Sequence, residues 1–282
     1  MKIVVCGKSF AACNSLEYLS DLVTLFRLDL QICVVPNNSD TKNDTWEPSL
    51  SRRAHDLGCN VYHNYTEIDF ATQDILISIQ FDKIIKTTKL NGASAFNIHF
   101  SNLPKYRGCF PSMLPIRRGE KQAGVTLHVL TDGIDDGPII DQQLFDIHSF
   151  MTSFDLYKMY NEFGYILFKN NIQDIINNSY NCHIQSAEFS YFNKQAIDYN
   201  NNEITNIELP CIQLRDYIRS LIFPPYQLPI FRGNKITSCD VLSWKGSTYL
   251  FSINPGILII DKRHSVIKCL DGMLRLEFLN EP

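Results

Sequence analysis

No stretch of this chain stays apolar for the roughly 20 residues that a membrane-spanning helix needs, and none of its nine cysteines falls in a Cys-x-x-Cys pair. The first absence argues against a helical membrane protein. The second, with an odd cysteine count, argues against a disulfide scaffold or zinc ribbon and fits reduced, buried thiols in the cytoplasm. A signal-peptide layout is also missing, because Met1-Lys-Ile-Val-Val-Cys enters a strand directly. Charge of one sign is scarce: a formal net charge of −4 gives no general affinity for nucleic acid. Where a dinucleotide fingerprint needs three glycines, Gly7-Lys-Ser-Phe-Ala-Ala-Cys supplies one, which disfavours NAD binding there. His63, His128 and His183 lack metal-ligand spacing, so no metal is expected. Neither an internal repeat nor a low-complexity segment is present.

What is there reads as an ordinary globular protein, 45% apolar and 20% charged over 282 residues, long enough for a main domain and an appendage. Strand-like runs (Lys2–Cys6, Leu30–Pro36, Asn60–His63, Asp74–Ile79, Ser94–His99, Gly124–Leu130, Pro138–Phe145) alternate with helical stretches (Ala11–Phe26, Pro48–Leu57, Asp82–Leu90, Pro111–Arg118). This succession predicts an α/β fold with a Rossmann-like, mostly parallel sheet and helices on both faces. Ser153–Ile176 has apolar residues at helical spacing and reads as a core helix. Residues 181–207 read as a connector between a catalytic domain (1–180) and a small β-rich domain (208–282). Glu208–Leu221 opens that tail as a helix, and Ile236–Leu242, Thr248–Phe251, Gly256–Ile260, His264–Leu270 and Met273–Phe278 follow as strands. Their edges invite pairing of two copies, a homodimer through the C-terminal domain.

Two segments carry the chemistry. Phe96-Asn-Ile-His-Phe-Ser-Asn-Leu-Pro-Lys-Tyr-Arg-Gly108 sets Asn97 and His99 two residues apart at a strand end, and alternation puts both side chains on one face. Thr131-Asp-Gly-Ile-Asp-Asp-Gly-Pro138 brings a carboxylate on a loop after another strand. In such sheets sites gather at the carboxyl ends of strands. An amide donor, a titratable ring and an acid converging there suit acyl transfer. Taken singly, each has a bland reading: Asn97 as a turn former, His99 as a packed imidazole, and Asp132, Asp135 and Asp136 as turn residues. Between Asp82 and Lys121 lie eight basic residues and two acidic ones, and Lys105 and Arg107 among them suit an anionic substrate. Ser101 shares the face of His99, and Tyr106 could stack on a base.

Together these segments resemble the formyltransferase family that uses N10-formyltetrahydrofolate, through its Asn-x-His-x-Ser-x-Leu-Pro and Asp-x-Gly-Pro elements. Ile77-Ser-Ile-Gln-Phe-Asp-Lys-Ile-Ile85 is similar to the loop those enzymes lay along the pterin, and its Gln-Phe-Asp-Lys-Ile stretch is similar to that of the sugar-nucleotide branch. Ile218-Arg-Ser-Leu-Ile-Phe-Pro-Pro-Tyr226 looks like the family's junction to its C-terminal domain. The resemblance implies a catalytic trio of Asn97, His99 and Asp135, the last taken over Asp136 from the Asp-x-Gly-Pro register. It implies folate contacts from Ile79, Gln80, Phe81, Asp82, Ile84, Asp132 and Gly133, with Asp132 also readable as a cap. Ser101, Lys105, Tyr106 and Arg107 would meet the other substrate.

Three branches compete. The purine-pathway branch has a Gly-rich phosphate loop that Gly7-Lys-Ser-Phe does not reproduce. The initiator-tRNA branch usually has a basic C-terminal domain, whereas residues 151–282 hold 12 Lys/Arg against 13 Asp/Glu. The sugar-nucleotide branch needs positive charge only for a diphosphate. The resemblance therefore implies formyl transfer from N10-formyltetrahydrofolate to a nucleotide-linked amino sugar, with dTDP as carrier, for cell-surface polysaccharide. Methionyl-tRNA formyltransferase, formyltetrahydrofolate hydrolase and a non-catalytic folate- or nucleotide-binding regulator are the alternatives.

Overall fold

The computed structural model of the chain describes residues 1–198, 201–243 and 254–279. The chain forms two compact units, one of Met1–Gly108, Gly124–Phe145 and Met159–Tyr191, the other of Cys109–Ala123, Asp146–Lys158 and Phe192–Pro282.

The first unit is built on a seven-stranded sheet. Its strands are β1 (Lys2–Gly7), β2 (Gln31–Pro36), β3 (Asn60–Val61), β4 (Ile75–Ile79), β5 (Ser94–His99), β7 (Gln122–Val129) and β8 (Ile139–Asp146), in the order β3-β2-β1-β4-β5-β7-β8. β6 (Arg107–Gly108) lies outside it. From β3 through β5 every pairing is parallel, and β5 meets β7 antiparallel. The apolar residues Ile3, Val4, Val5, Val34, Leu76 and Ile77 are buried on both faces of the central strands, as a parallel sheet covered on both sides requires. α1 (Ser9–Phe26) and α2 (Leu50–Asp56) are its first crossovers. α4 (Ser153–Ile176) meets the sheet where β5 ends: an added Cβ on Gly164 would stand 3.0 Å from the Phe100 ring and 3.6 Å from Ile98, and Tyr160 stacks on Phe100 at 5.4 Å. Ile98 and Phe100 thus face the helix, and by alternation Asn97 and His99 face the other way.

In the second unit, β10 (Ile230–Phe231), β11 (Asn234–Leu242), β12 (Gly256–Ile260), β13 (His264–Lys268) and β14 (Met273–Phe278) form a sheet ordered β10-β11-β14-β13-β12, antiparallel at every pairing. α5 (Cys211–Leu221) packs against β11 and β14 and against α3 (Leu114–Arg117). The expected fold class is met. The expected strand Thr248–Phe251 lies outside the described residues.

Several boundaries differ from expectation. Asp82–Leu90 is not a helix; only Thr87–Lys89 forms a 3-10 turn. Tertiary anchors override local propensity there: Asn37 donates to the Gln80 carbonyl (2.8 Å) and accepts from the Asp82 N–H (3.2 Å), while Ile85 is buried beside Tyr65 and Phe70. The helix expected over Pro111–Arg118 shortens to Leu114–Arg117, with Pro115 in the first turn, after a turn in which the Phe110 carbonyl accepts from the Met113 and Leu114 N–H groups. The strand expected over Asn60–His63 ends at Val61, and α5 begins at Cys211 because Pro210 caps it. The connector holds the short β9 (Tyr191–Phe192) and an antiparallel bridge from His183 to Ile139.

Candidate active site

β5 delivers Asn97 and His99 at its carboxyl end, next to the ends of β4 and β7: Asn97 stands opposite Ser78 on one side and His128 on the other. Beyond His99 the chain is pinned. Thr126 Oγ1 donates to the Ser101 carbonyl (2.7 Å) and accepts from Leu103 N–H (3.1 Å), and Gln142 Nε2 donates to Leu103 O (2.8 Å). The chain then turns through a cis Leu103–Pro104 bond, and Tyr106 takes φ 61°. That turn points the Tyr106 carbonyl at His99, 2.9 Å from Nε2. A carbonyl oxygen only accepts, so Nε2 carries a proton and Nδ1 is left facing the Asp135 carboxylate at 3.5 Å.

Asp135 arrives on the loop between β7 and β8 in the left-handed region, φ 51°. Its Oδ2 accepts from the Gly108 N–H (2.8 Å) and its Oδ1 from Asn97 Nδ2 (3.3 Å). Burial by itself would raise this acid. The charge of His99, the adjoining His128 ring and the Gly108 N–H outweigh it and hold the carboxyl well below the usual carboxylate range. Asp136 is not part of this group, since its carboxylate turns back to accept from Thr131 Oγ1.

The expected trio therefore meets in one cluster, and sequence reasoning missed two members. His128 Nε2 lies 3.2 Å from Asn97 Nδ2 and 3.6 Å from Asp135, while its Nδ1 donates to Val129 O (2.9 Å). Asn97 donates one amide hydrogen to each of these neighbours. The signal for His128 was pairing register, which no residue spacing within one segment displays. The second is Gln185, in the presumed connector, whose amide Nε2 donates to the carbonyls of Asp135 (2.9 Å) and Gly137 (2.8 Å).

Residues expected to meet substrates divide. Ser101 is buried and donates to Lys105 O, so it acts within the turn. Tyr106 is buried and contributes its carbonyl. Lys105 is exposed. The Arg107 guanidinium binds Gln185 Oε1 through Nε (3.1 Å) and Nη2 (2.7 Å) and lies 4.4 Å over the Phe189 ring.

At the end of β4, Ile79 is buried, and its carbonyl accepts from the Lys8 N–H while blocking any side chain at Gly7. Gln80 adopts φ 55°. Phe81 packs on the core, and Asp82 accepts from the Asn38 N–H. Ile84 is exposed, and among the described residues its main-chain N–H and C=O make no hydrogen bond within the protein. An open main-chain stretch in the loop that follows a strand can pair with the donor–acceptor rim of a planar heterocycle. Asp132 accepts from Thr87 N–H and Oγ1, capping that turn, and Gly133 is held by Thr131 Oγ1. Among the described residues no group of three or more His, Cys, Asp or Glu is placed to hold a metal ion, and no helix is long and apolar enough to cross a membrane.

An imidazole beside a carboxylate, and an amide on the same carboxylate, make a site for moving a proton while an acyl carbon changes partners. The formyl transferase family model matches residues 52–172, which contain this whole cluster except Gln185. The crystal structure of WlaRD, a sugar 3N-formyl transferase in the presence of dTDP and 5-N-formyl-THF, is 36% identical, covering 100% of this chain and 99% of that one, with TM-score 0.89. The N-formyltransferase from Helicobacter canadensis, in complex with folinic acid and dTDP-3-aminofucose, is also 36% identical, covering 99% and 100%, with TM-score 0.88. Methionyl-tRNA formyltransferase of Fervidobacterium nodosum is 23% identical over 82% of this chain and 71% of its own. The chain belongs to the formyltransferase family.

Proposed function

We propose that this enzyme transfers the formyl group of N10-formyltetrahydrofolate to the amine of a dTDP-linked dideoxy-amino sugar. The observation that carries the reading is the meeting of Asn97, His99 and Asp135 at one strand end, in a chain alike over its full length to two sugar N-formyltransferases. The trio supplies transfer chemistry, and those two relatives point to the acceptor. The near balance of charge in residues 151–282 supports a small acceptor over tRNA.

In this mechanism the neutral sugar amine attacks the formyl carbon, forming a C–N bond and a tetrahedral oxyanion. His99, in its neutral form, accepts at Nδ1 the proton released by the amine, and the imidazolium then lies against Asp135. Asn97 turns one of its amide hydrogens, now in long bonds of 3.2 and 3.3 Å, to the oxyanion, a type of interaction worth on the order of 10²–10³ in rate. Collapse breaks the bond to N10, and His99 returns the proton to that nitrogen. The products are the N-formyl sugar and tetrahydrofolate. The main chain of Gln80–Ile84 would hold the pterin, and exposed Lys105 the diphosphate.

We further read residues 1–180 as the catalytic domain and 208–282 as a small domain that pairs two copies, with the product entering lipopolysaccharide O-antigen in the cytoplasm. Sedimentation at a single-chain mass would remove the dimer. The decisive assay mixes the protein with N10-formyltetrahydrofolate and a panel of dTDP-amino sugars. Release of tetrahydrofolate together with a product heavier by one CO is expected. Formate release at full rate with no amine present would instead make the protein a hydrolase.

A further inference from the structure

We propose that Gln185 is a positioning residue for formyl transfer: held by Arg107, it locks the Asp135 peptide in the one conformation that aims its carboxylate at Asn97 and His99. The inference rests on the transfer reading above and adds a role outside the trio.

Asp135 needs such a lock. A non-glycine residue at φ 51° sits in a sparsely populated region and persists only where its surroundings over-determine it. Relaxation toward the ordinary helical or extended regions would rotate the carboxylate away from Asn97, His99 and Gly108. The lock is the Gln185 amide, and it is fully used. Its two N–H groups donate to Asp135 O and Gly137 O at 2.9 and 2.8 Å, and its oxygen accepts two N–H groups from Arg107 at 3.1 and 2.7 Å. Carbonyls on one end and a guanidinium on the other fix which end is nitrogen. Glutamine suits the place uniquely, because glutamate cannot donate to the two carbonyls and methionine can neither donate nor accept strongly.

The same segment also aims His99. Ser190 accepts from Arg107 N–H through its carbonyl (2.9 Å) and from Tyr106 N–H through its hydroxyl (2.8 Å). Those two bonds hold the turn whose Tyr106 carbonyl orients His99 and whose Gly108 N–H binds Asp135. Phe189 lies under the guanidinium. Residues 185–190 therefore fix the carboxylate and the imidazole from one side, touching no reacting atom. Arg107 thereby gains a second assignment, as the anchor of this clamp.

The test compares full-length variants in the transfer assay, with the wild type as control. Gln185→Met keeps the volume and removes all four hydrogen bonds. A displacement of about 1 Å at the reacting groups can cost about 10²-fold, so kcat should fall at least tenfold while KM for both substrates stays within about threefold. Arg107→Met should lower kcat in the same way, and the double variant should lose no more than the worse single one, because both act through one clamp. Amide hydrogen exchange at residues 133–137 should quicken in Gln185→Met while the rest of the sheet keeps its protection.

A Gln185→Met kcat within twofold of the wild type overturns the proposal, as does a loss confined to KM or additive losses in the double variant. If Gln185→Met does not fold, Arg107→Met, which removes the guanidinium that holds the Gln185 amide in place, decides on the same criteria. If the wild type formylates no amine in the panel, the transfer reading fails. The clamp is then judged by exchange alone, and unchanged protection at 133–137 overturns it.

Discussion

Each compact unit encloses an aspartate within a polar cluster, Asp135 in the first and Asp216 in the second, and the two keep different company. In the first, Asp135 is surrounded by two imidazoles, an amide and a backbone N–H. In the second, Asp216 on α5 takes Arg215 Nε and Nη2 (2.9 and 2.7 Å) and Arg219 Nε (2.8 Å) on a single oxygen, and Arg219 goes on to bind the carbonyls of His148 and Met151. A guanidinium does not lose its proton in a protein, so the Asp216 group can only hold chain segments together. An imidazole changes charge near neutrality, so a carboxylate beside one can steady a proton in transit. Asp216 is the more deeply buried of the two, so what distinguishes the two acids is the partner and not burial alone.

Substitutions can break this contrast. The largest expected effect is on turnover: His99→Ala should lower kcat/KM by about 10²–10⁴-fold with melting temperature little changed. A loss below tenfold would take the proton from His99. Asn97→Ala should cost on the order of 10²–10³, and a purely KM effect would reassign it to binding. Asp216→Ala should do the reverse, destabilising the fold by about 3–5 kcal/mol, as expected when a buried pair is broken and Arg219 left uncompensated, while the folded fraction keeps its kcat. Unaltered thermal unfolding would contradict that.

A smaller effect sharpens the contrast through pH. The folded-state pKa of Asp135 is depressed, so its contribution is fully present above the unfolded carboxylate value of about 3.9 and is lost as pH falls toward the folded value. The acid-side decline in stability should therefore be shallower in Asp135→Asn than in the wild type; identical slopes would mean that the carboxylate is not stabilised. Smallest of all, Asp136→Ala should leave kcat within about twofold, because that carboxylate serves its own loop.

Most of the sheet was legible because its strands are short apolar runs between turn residues, and burial on both faces demands that pattern. Asn97 and His99 were legible as a pair on one face of one strand, whereas Asp135 was separated from Asp132 and Asp136 only by the Asp-x-Gly-Pro register of the family that the chain resembles. The helix expected over Asp82–Leu90 failed because its fate is set by Asn37 and by the pocket around Ile85, far off in sequence. His128 stayed hidden because it joins the group only through the β5–β7 ladder. Gln185 stayed hidden because polar residues in an Asn- and Ser-rich stretch read as solvated surface until a fold brings a guanidinium and two carbonyls to them.

The antiparallel pairing that sets His128 across from Asn97 also limits how this gene can drift. Losing or gaining one codon between Gly124 and His128 would turn the imidazole to the opposite side of its strand and leave a different side chain in its place. Length variation among descendants should therefore collect at the hairpin tip, residues 131–134, and spare the eight positions of β7.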